Sequence, residues 1–119
     1  MPNSIPTLPG YSTMPIELPV WYNMPYSYYA PQGSTNARVF QIVKENAQEK
    51  EKAVIIYCFV YNECVKDKNV IRINYYDNVD GEELSHVAQY RKTVTLAATQ
   101  QQQLSRNIVH YLDDFYRLL

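Results

Sequence analysis

Hydrophobic positions along this chain change their spacing near residue 97: they alternate before that point and recur every three or four residues after it. The first alternating stretch is RVFQIVKE, Arg38–Glu45. The strongest is AVIIYCFVY, Ala53–Tyr61, a run of β-branched and aromatic residues with no breaker. A period of two places Val54, Ile56, Cys58 and Val60 on one face and Ile55, Tyr57, Phe59 and Tyr61 on the other. One face is aliphatic and the other mostly aromatic. NVIRINYYD, Asn69–Asp77, predicts a third strand, and AQYRKTVTL, Ala88–Leu96, a fourth. The polar stretches NAQEKEK, NECVKDK and NVDGEE separate them as turns, with Gly81 as the hinge of the last. A helix follows from Thr99, where Thr99 and Gln102 fit a capping box. The pattern predicts an α+β fold, four antiparallel strands followed by one C-terminal helix that covers one sheet face.

The helix carries a broad apolar stripe: Leu104, Ile108, Tyr111, Leu112, Phe115 and Leu118 or Leu119. Two readings of it stand. The sheet absorbs the whole stripe, or the part containing Leu104, Ile108, Tyr111, Leu112 and Phe115 also forms a helix-mediated homodimer interface. The second is the expectation, because a small domain gains from burying apolar surface against a second copy.

Residues 1–37 have a different chemistry. All seven prolines fall within the first 31 residues, with a single charge, Glu17. Tyr11, Trp21, Tyr22, Tyr26, Tyr28 and Tyr29 crowd the same stretch. Proline at this density forbids a helix or a central strand, so an extended N-terminal arm (1–37) is expected ahead of the folded domain (38–119). A disordered tail is one reading. The aromatic content favours an arm that lies on a surface, its own or that of a protein partner.

Charge changes the picture less than it narrows it. Every Lys and Arg lies from Arg38 onward, where eleven basic residues face the eleven acidic ones left when Glu17 is set aside. A domain this close to neutral shows no general basic signature for nucleic acid or an anionic membrane. No run of ~18 apolar residues is present, so no membrane span is expected. The two cysteines, Cys58 and Cys64, have neither zinc-knuckle nor redox spacing, and no metal or cofactor is implied. An intracellular chain is expected. Nor is an enzyme expected: three glycines leave no phosphate-binding loop, and no hydrolase elbow occurs. His86 and His110 are isolated, and Asp113 and Asp114 are adjacent, so they point apart on a helix.

Several stretches in order carry a family likeness. These are FQIVK (Phe40–Lys44), IRINYYD (Ile71–Asp77), Gly81 with Glu82, RKTVTL followed by Leu104 after a run of glutamines, and LDDF near the end. In this order they resemble the DNA-binding domain of the positive cofactor four family of transcriptional coactivators. The likeness spans Phe40 to Phe115. It implies a curved four-stranded sheet with a C-terminal helix, and a nuclear homodimer that binds single-stranded or melted DNA with little sequence preference. Carried over position by position, it implies strand contacts from Lys44, Arg72, Tyr75, Arg91 and Lys92. Tyr75 stands where the family has a base-stacking Trp, and an aromatic from the second strand, Phe59 or Tyr61, adds to it, with Tyr57 on the same face. Such a site is chemically coherent, since cations follow phosphates while aromatic planes and Arg stack on bases. Simple alternation, however, puts Arg72 and Tyr75 on opposite faces, so a twist or bulge is needed for both to touch one strand.

The chain also departs from the family. The stretch between FQIVK and IRINYY is longer, Thr93 replaces a Gly after the Arg-Lys pair, and the Pro/Tyr arm stands in place of a Ser/Lys-rich tail. Other single-strand binders, the Whirly and purine-rich-element-binding groups, share four strands and a helix. The rival reading of function is a structural or adaptor subunit whose aromatic sheet face and N-terminal arm meet protein rather than nucleic acid.

Overall fold

A computed structural model describes residues 8–16, 32–45, 53–80 and 83–118. Five strands form one antiparallel sheet in sequence order: β1 (Tyr11–Ile16), β2 (Thr35–Lys44), β3 (Ile55–Val65), β4 (Lys68–Asp80) and β5 (Glu83–Ala97). A 3₁₀ turn, Ala98–Gln103, leads into helix α1, Leu104–Leu118. The α+β class and the terminal helix match the expectation, but the strand count does not. The extra strand, β1, comes from the segment expected to be an arm. It pairs with β2 from Tyr11↔Lys44 to Ile16↔Val39. Pro15 is tolerated there because β1 lies at the sheet edge, where a missing N–H need not break a ladder. The NAQEKEK turn, the Gly81 hinge and most of the N-terminal arm lie outside the described residues.

The strands run longer than their apolar cores. The turn expected over NECVKDK is present but only two residues long. β3 continues to Val65, pairs back as Val65↔Lys68, and turns through Lys66 and Asp67 alone. Both turn residues have positive φ, 49° and 63°, which is the backbone of a tight hairpin whose twist matches that of its strands. The helix start also differs from the expected capping box. Ala97 donates its N–H to Oε1 of Gln100 at 3.3 Å, and Thr99 and Gln102 are exposed.

The ladder sorts side chains into rows that cross the sheet. On one face run Phe40–Cys58–Tyr75–Lys92 and Ile42–Ile56–Asp77–Gln89, with Val60–Ile73–Val94 beside them. Helix α1 covers this face. Leu104, Ile108 and Leu112 are buried against Phe40, Ile42, Ile56, Cys58, Val60, Ile71, Ile73, Tyr75 and Leu96. Leu8 and Tyr11 complete this core. Three of the five helix residues expected to reach a second subunit, Leu104, Ile108 and Leu112, are therefore turned into the chain's own sheet, because one helix must cover the central strands alone. Tyr111 and Phe115 from the same stripe are half-buried and pack on that core.

Two tyrosines fasten the helix down. Tyr116 donates its hydroxyl proton to the Val54 carbonyl at 2.7 Å, and Tyr11 donates to Oδ1 of Asp113 at 2.9 Å. The Tyr11 and Tyr116 rings lie 5.8 Å apart, so β1 is tied both to β2 and to the last turns of α1.

Candidate functional site

The eight residues expected to contact nucleic acid separate onto the two faces of the sheet. Lys44, Tyr75, Arg91 and Lys92 lie on the helix side, while Tyr57, Phe59, Tyr61 and Arg72 lie on the other. The alternation that sets Arg72 against Tyr75 in the sequence holds in the structure.

On the helix side the aromatic surface is already occupied. Tyr75 is fully buried, and its ring stacks on Tyr111 with centroids 3.9 Å apart and planes 22° apart. A base therefore has no access to Tyr75, and the expected base-stacking role gives way to core packing beneath α1. Burial pushes the Tyr75 phenol well above its ordinary pKa, and its hydroxyl makes no hydrogen bond. Lys92 places its Nζ 5.2 Å from the Tyr111 ring centre, and Lys44 places its Nζ 5.5 Å from that of Tyr116. Both cations thus sit over tyrosine faces at the flanks of the helix.

Arg91 reaches this side through a bulge. The register steps from Tyr75↔Lys92 to Tyr76↔Tyr90, leaving Arg91 unmatched on β5. The extra residue turns its side chain towards the helix face. There Arg91 forms a two-pronged pair with the fully buried Asp77: Nε to Oδ2 and Nη2 to Oδ1, both 2.9 Å. Nη2 also donates to the Val79 carbonyl. Asp77 sits in a row with Ile42 and Ile56, so a lone carboxylate there would carry a heavy desolvation cost. The guanidinium and the N–H of Val79, which donates to Asp77 Oδ1 at 2.9 Å, answer that need. The bulge is thus explained by a buried acid rather than by a ligand.

The opposite face carries no helix among the described residues, yet it is not open. Val39, Phe59, Tyr61 and Tyr76 form a second buried cluster, flanked by Ile16, Ala37, Tyr57 and Ala88. Phe59 is fully buried and meets Tyr61 edge-on at 6.2 Å. Burial raises the pKa values of Tyr57 and Tyr61.

Towards β5 this face becomes polar. Thr93 donates its hydroxyl proton to Asn74 Oδ1 at 2.7 Å, and Tyr90 lies 2.8 Å from Thr93 Oγ1. A hydroxyl has one proton, so Tyr90 must donate to Thr93. Asn74 in turn hydrogen-bonds the Tyr61 hydroxyl. The chain Tyr90–Thr93–Asn74–Tyr61 crosses three strands. In the next row Arg72 donates from Nε to Glu63 at 2.9 Å and from Nη1 to Thr95 at 3.2 Å. Tyr90 and Thr93 are exposed, Tyr90 with 56% of its surface in solvent, and the Tyr90 ring meets Tyr76 at 5.7 Å. Sequence reasoning passes over Tyr90, Glu63 and Asn74. The alternation of QYRKTVTL points Tyr90 and Thr93 to opposite faces, and only the bulge at Arg91 brings them together.

Among the described residues no cluster of three His, Cys, Asp or Glu side chains is arranged to hold a metal, and no helix is long and apolar enough to cross a membrane. Cys58 is buried and Cys64 exposed, and both are free thiols. His110 lies on the solvent side of α1, 3.5 Å from Asp114. No protein-family model, curated protein or solved structure matches the chain, so the coactivator likeness rests on the sequence stretches alone.

Proposed function

We propose that this chain is a structural or adaptor module that works through protein contacts. One observation carries this reading: the aromatic face that single-strand binding would need is already a core. Phe59 is fully buried and Tyr61 only 5% exposed. Two of the expected strand-binding cations also have carboxylate partners, Arg72 with Glu63 and Arg91 with Asp77. Affinity for a phosphate backbone comes mainly from cations whose counterions a strand can release, and an arginine already matched to a carboxylate contributes less. The chain as a whole carries a formal charge of -1.

Single-stranded nucleic-acid binding in a nuclear, coactivator-like role is the competing reading. It is favoured by the exposed Tyr90 ring on the same strand as the exposed Arg91 and Lys92. The test is fluorescence anisotropy with a labelled ~20-nucleotide strand, long enough for one or two sites of the usual single-strand size, titrated at low and at moderate salt. The adaptor reading expects no saturable binding at either. Salt-sensitive binding that is lost in Arg72→Ala or in Arg91→Ala/Lys92→Ala would establish the nucleic-acid reading instead.

A further inference from the structure

We infer that two copies of this chain pair antiparallel through the outer edge of β5, about a two-fold axis at Val94. The two edges of the sheet differ. β1 is six residues long and contains Pro15, so it makes a poor template for a further strand. β5 is fifteen residues long with neither Pro nor Gly, and β4 is its only partner strand among the described residues. Its last six residues, Lys92–Ala97, keep an unbroken register against β4, so their outer backbone groups form a regular ladder ready for another strand.

The occupant is argued from self-complementarity. In antiparallel pairing, residues directly opposite one another share a face. An axis at Val94 sets Val94 against its own copy, Thr93 against Thr95, and Lys92 against Leu96. On the helix-free face, exposed Thr93 and Thr95 thus meet exposed Thr95 and Thr93. On the helix face, half-buried Val94 meets Val94, and the aliphatic stem of Lys92 lies beside Leu96. Because Arg91 is the bulged residue, Tyr90 occupies the next position on the helix-free face, and its exposed ring falls across from the small Ala97 of the second copy. No like charges oppose one another anywhere along these pairs. The bulge serves the pairing too, since it holds Arg91 to Asp77 on the helix side and away from the edge. The result is one continuous ten-stranded sheet with both helices on the same face, a closed two-fold contact rather than an open fibre. This goes beyond the adaptor reading and does not depend on it: the strand-binding titration decides that reading, and self-association decides this one.

The experiment is light scattering on size-exclusion fractions of the full chain over a wide concentration range. It compares wild type with Thr93→Glu/Thr95→Glu and with Thr93→Lys/Thr95→Lys. Each variant places two like-charge pairs across the axis, at positions that are exposed in the single chain. The inference expects twice the chain mass for wild type, the single-chain mass for each variant alone, and recovery of the doubled mass when the two variants are mixed. A wild type that stays at the single-chain mass, or variants that stay dimeric, would overturn it. Far-UV circular dichroism reports whether the variants fold. Should they not, hydrogen exchange on wild type takes their place: protection of the Lys92–Ala97 amides that rises with protein concentration supports the pairing, and concentration-independent protection overturns it.

Discussion

The two faces of this sheet are both buried, but by different means. The helix face is closed with aliphatic side chains and one stacked tyrosine pair, and its buried acid, Asp77, is held by Arg91. The opposite face buries aromatic rings near β2 and β3 and gives way, towards β5, to side chains that hydrogen-bond one another across strands. The helix face is a core that any amphipathic helix would demand. The helix-free face has the composition of a platform for bases, and that composition misleads. Aromatic residues on a strand face announce a large area to be buried. They do not announce what buries it.

Substitutions sharpen the contrast. The largest effect is expected on the face without the helix. Phe59→Ala should destabilise by about 3–5 kcal/mol, as for a fully packed aromatic, measured by urea unfolding. A loss below ~1 kcal/mol, the scale of a surface substitution, would mean that the helix-free face is a surface and not a core. Asp77→Asn comes next. It leaves Arg91 without its acid in a region walled by Ile42 and Ile56, and a loss of about 3 kcal/mol is expected in the same unfolding measurement. Arg91 remains partly exposed, which keeps the figure at the lower end.

Alkaline pH probes the helix face. Burial, aided for Tyr11 by its bond to Asp113, pushes the phenols of Tyr11, Tyr111 and Tyr116 up to about 12. In the unfolded chain they ionise near their ordinary value of about 10. The folded state thus holds protons that the unfolded state releases. The stability these groups supply is complete below pH ~10 and is lost as pH rises towards ~12. Absorbance titration in the near ultraviolet should find a group of tyrosines ionising late and together with unfolding, while Tyr11→Phe removes one of them and costs about 1 kcal/mol for its lost hydrogen bond. Tyr75→Phe should go the other way. Its hydroxyl is buried without a partner, so deleting it should leave stability unchanged or raise it by about 1 kcal/mol. The smallest effect is expected for Arg72→Ala, about 0–1 kcal/mol, since its pair with Glu63 is partly solvated.

Much of this is legible in the sequence. The faces of AVIIYCFVY follow from alternation, and the helix stripe follows from its spacing. Arg72 and Tyr75 fall on opposite faces for the same reason. What alternation does not show is where it breaks. The bulge at Arg91 answers Asp77, fourteen residues away and on another strand, and no local pattern records that demand. β1 escapes a sequence reading because proline density outweighs weak alternation in YSTMPI, and an edge strand tolerates what a central one does not. Likeness to a family position sends Tyr75 to a base, whereas its row with Phe40 and Cys58 places it under the helix. Likewise, burial of Leu104, Ile108 and Leu112 depends on how much sheet a single helix must cover, which strand patterns counted one at a time do not show.

The most direct test of the central claim, that the aromatic face opposite the helix is closed, is nitration by tetranitromethane with the modified tyrosines located by peptide mapping. Reaction requires an accessible ring. Tyr90 is expected to be nitrated early, and Tyr61 and Tyr76 to stay protected until the protein unfolds. Nitration of Tyr61 and Tyr76 at the rate of Tyr90 in the folded chain would contradict it, and would return that face to the surface as a platform for a ligand.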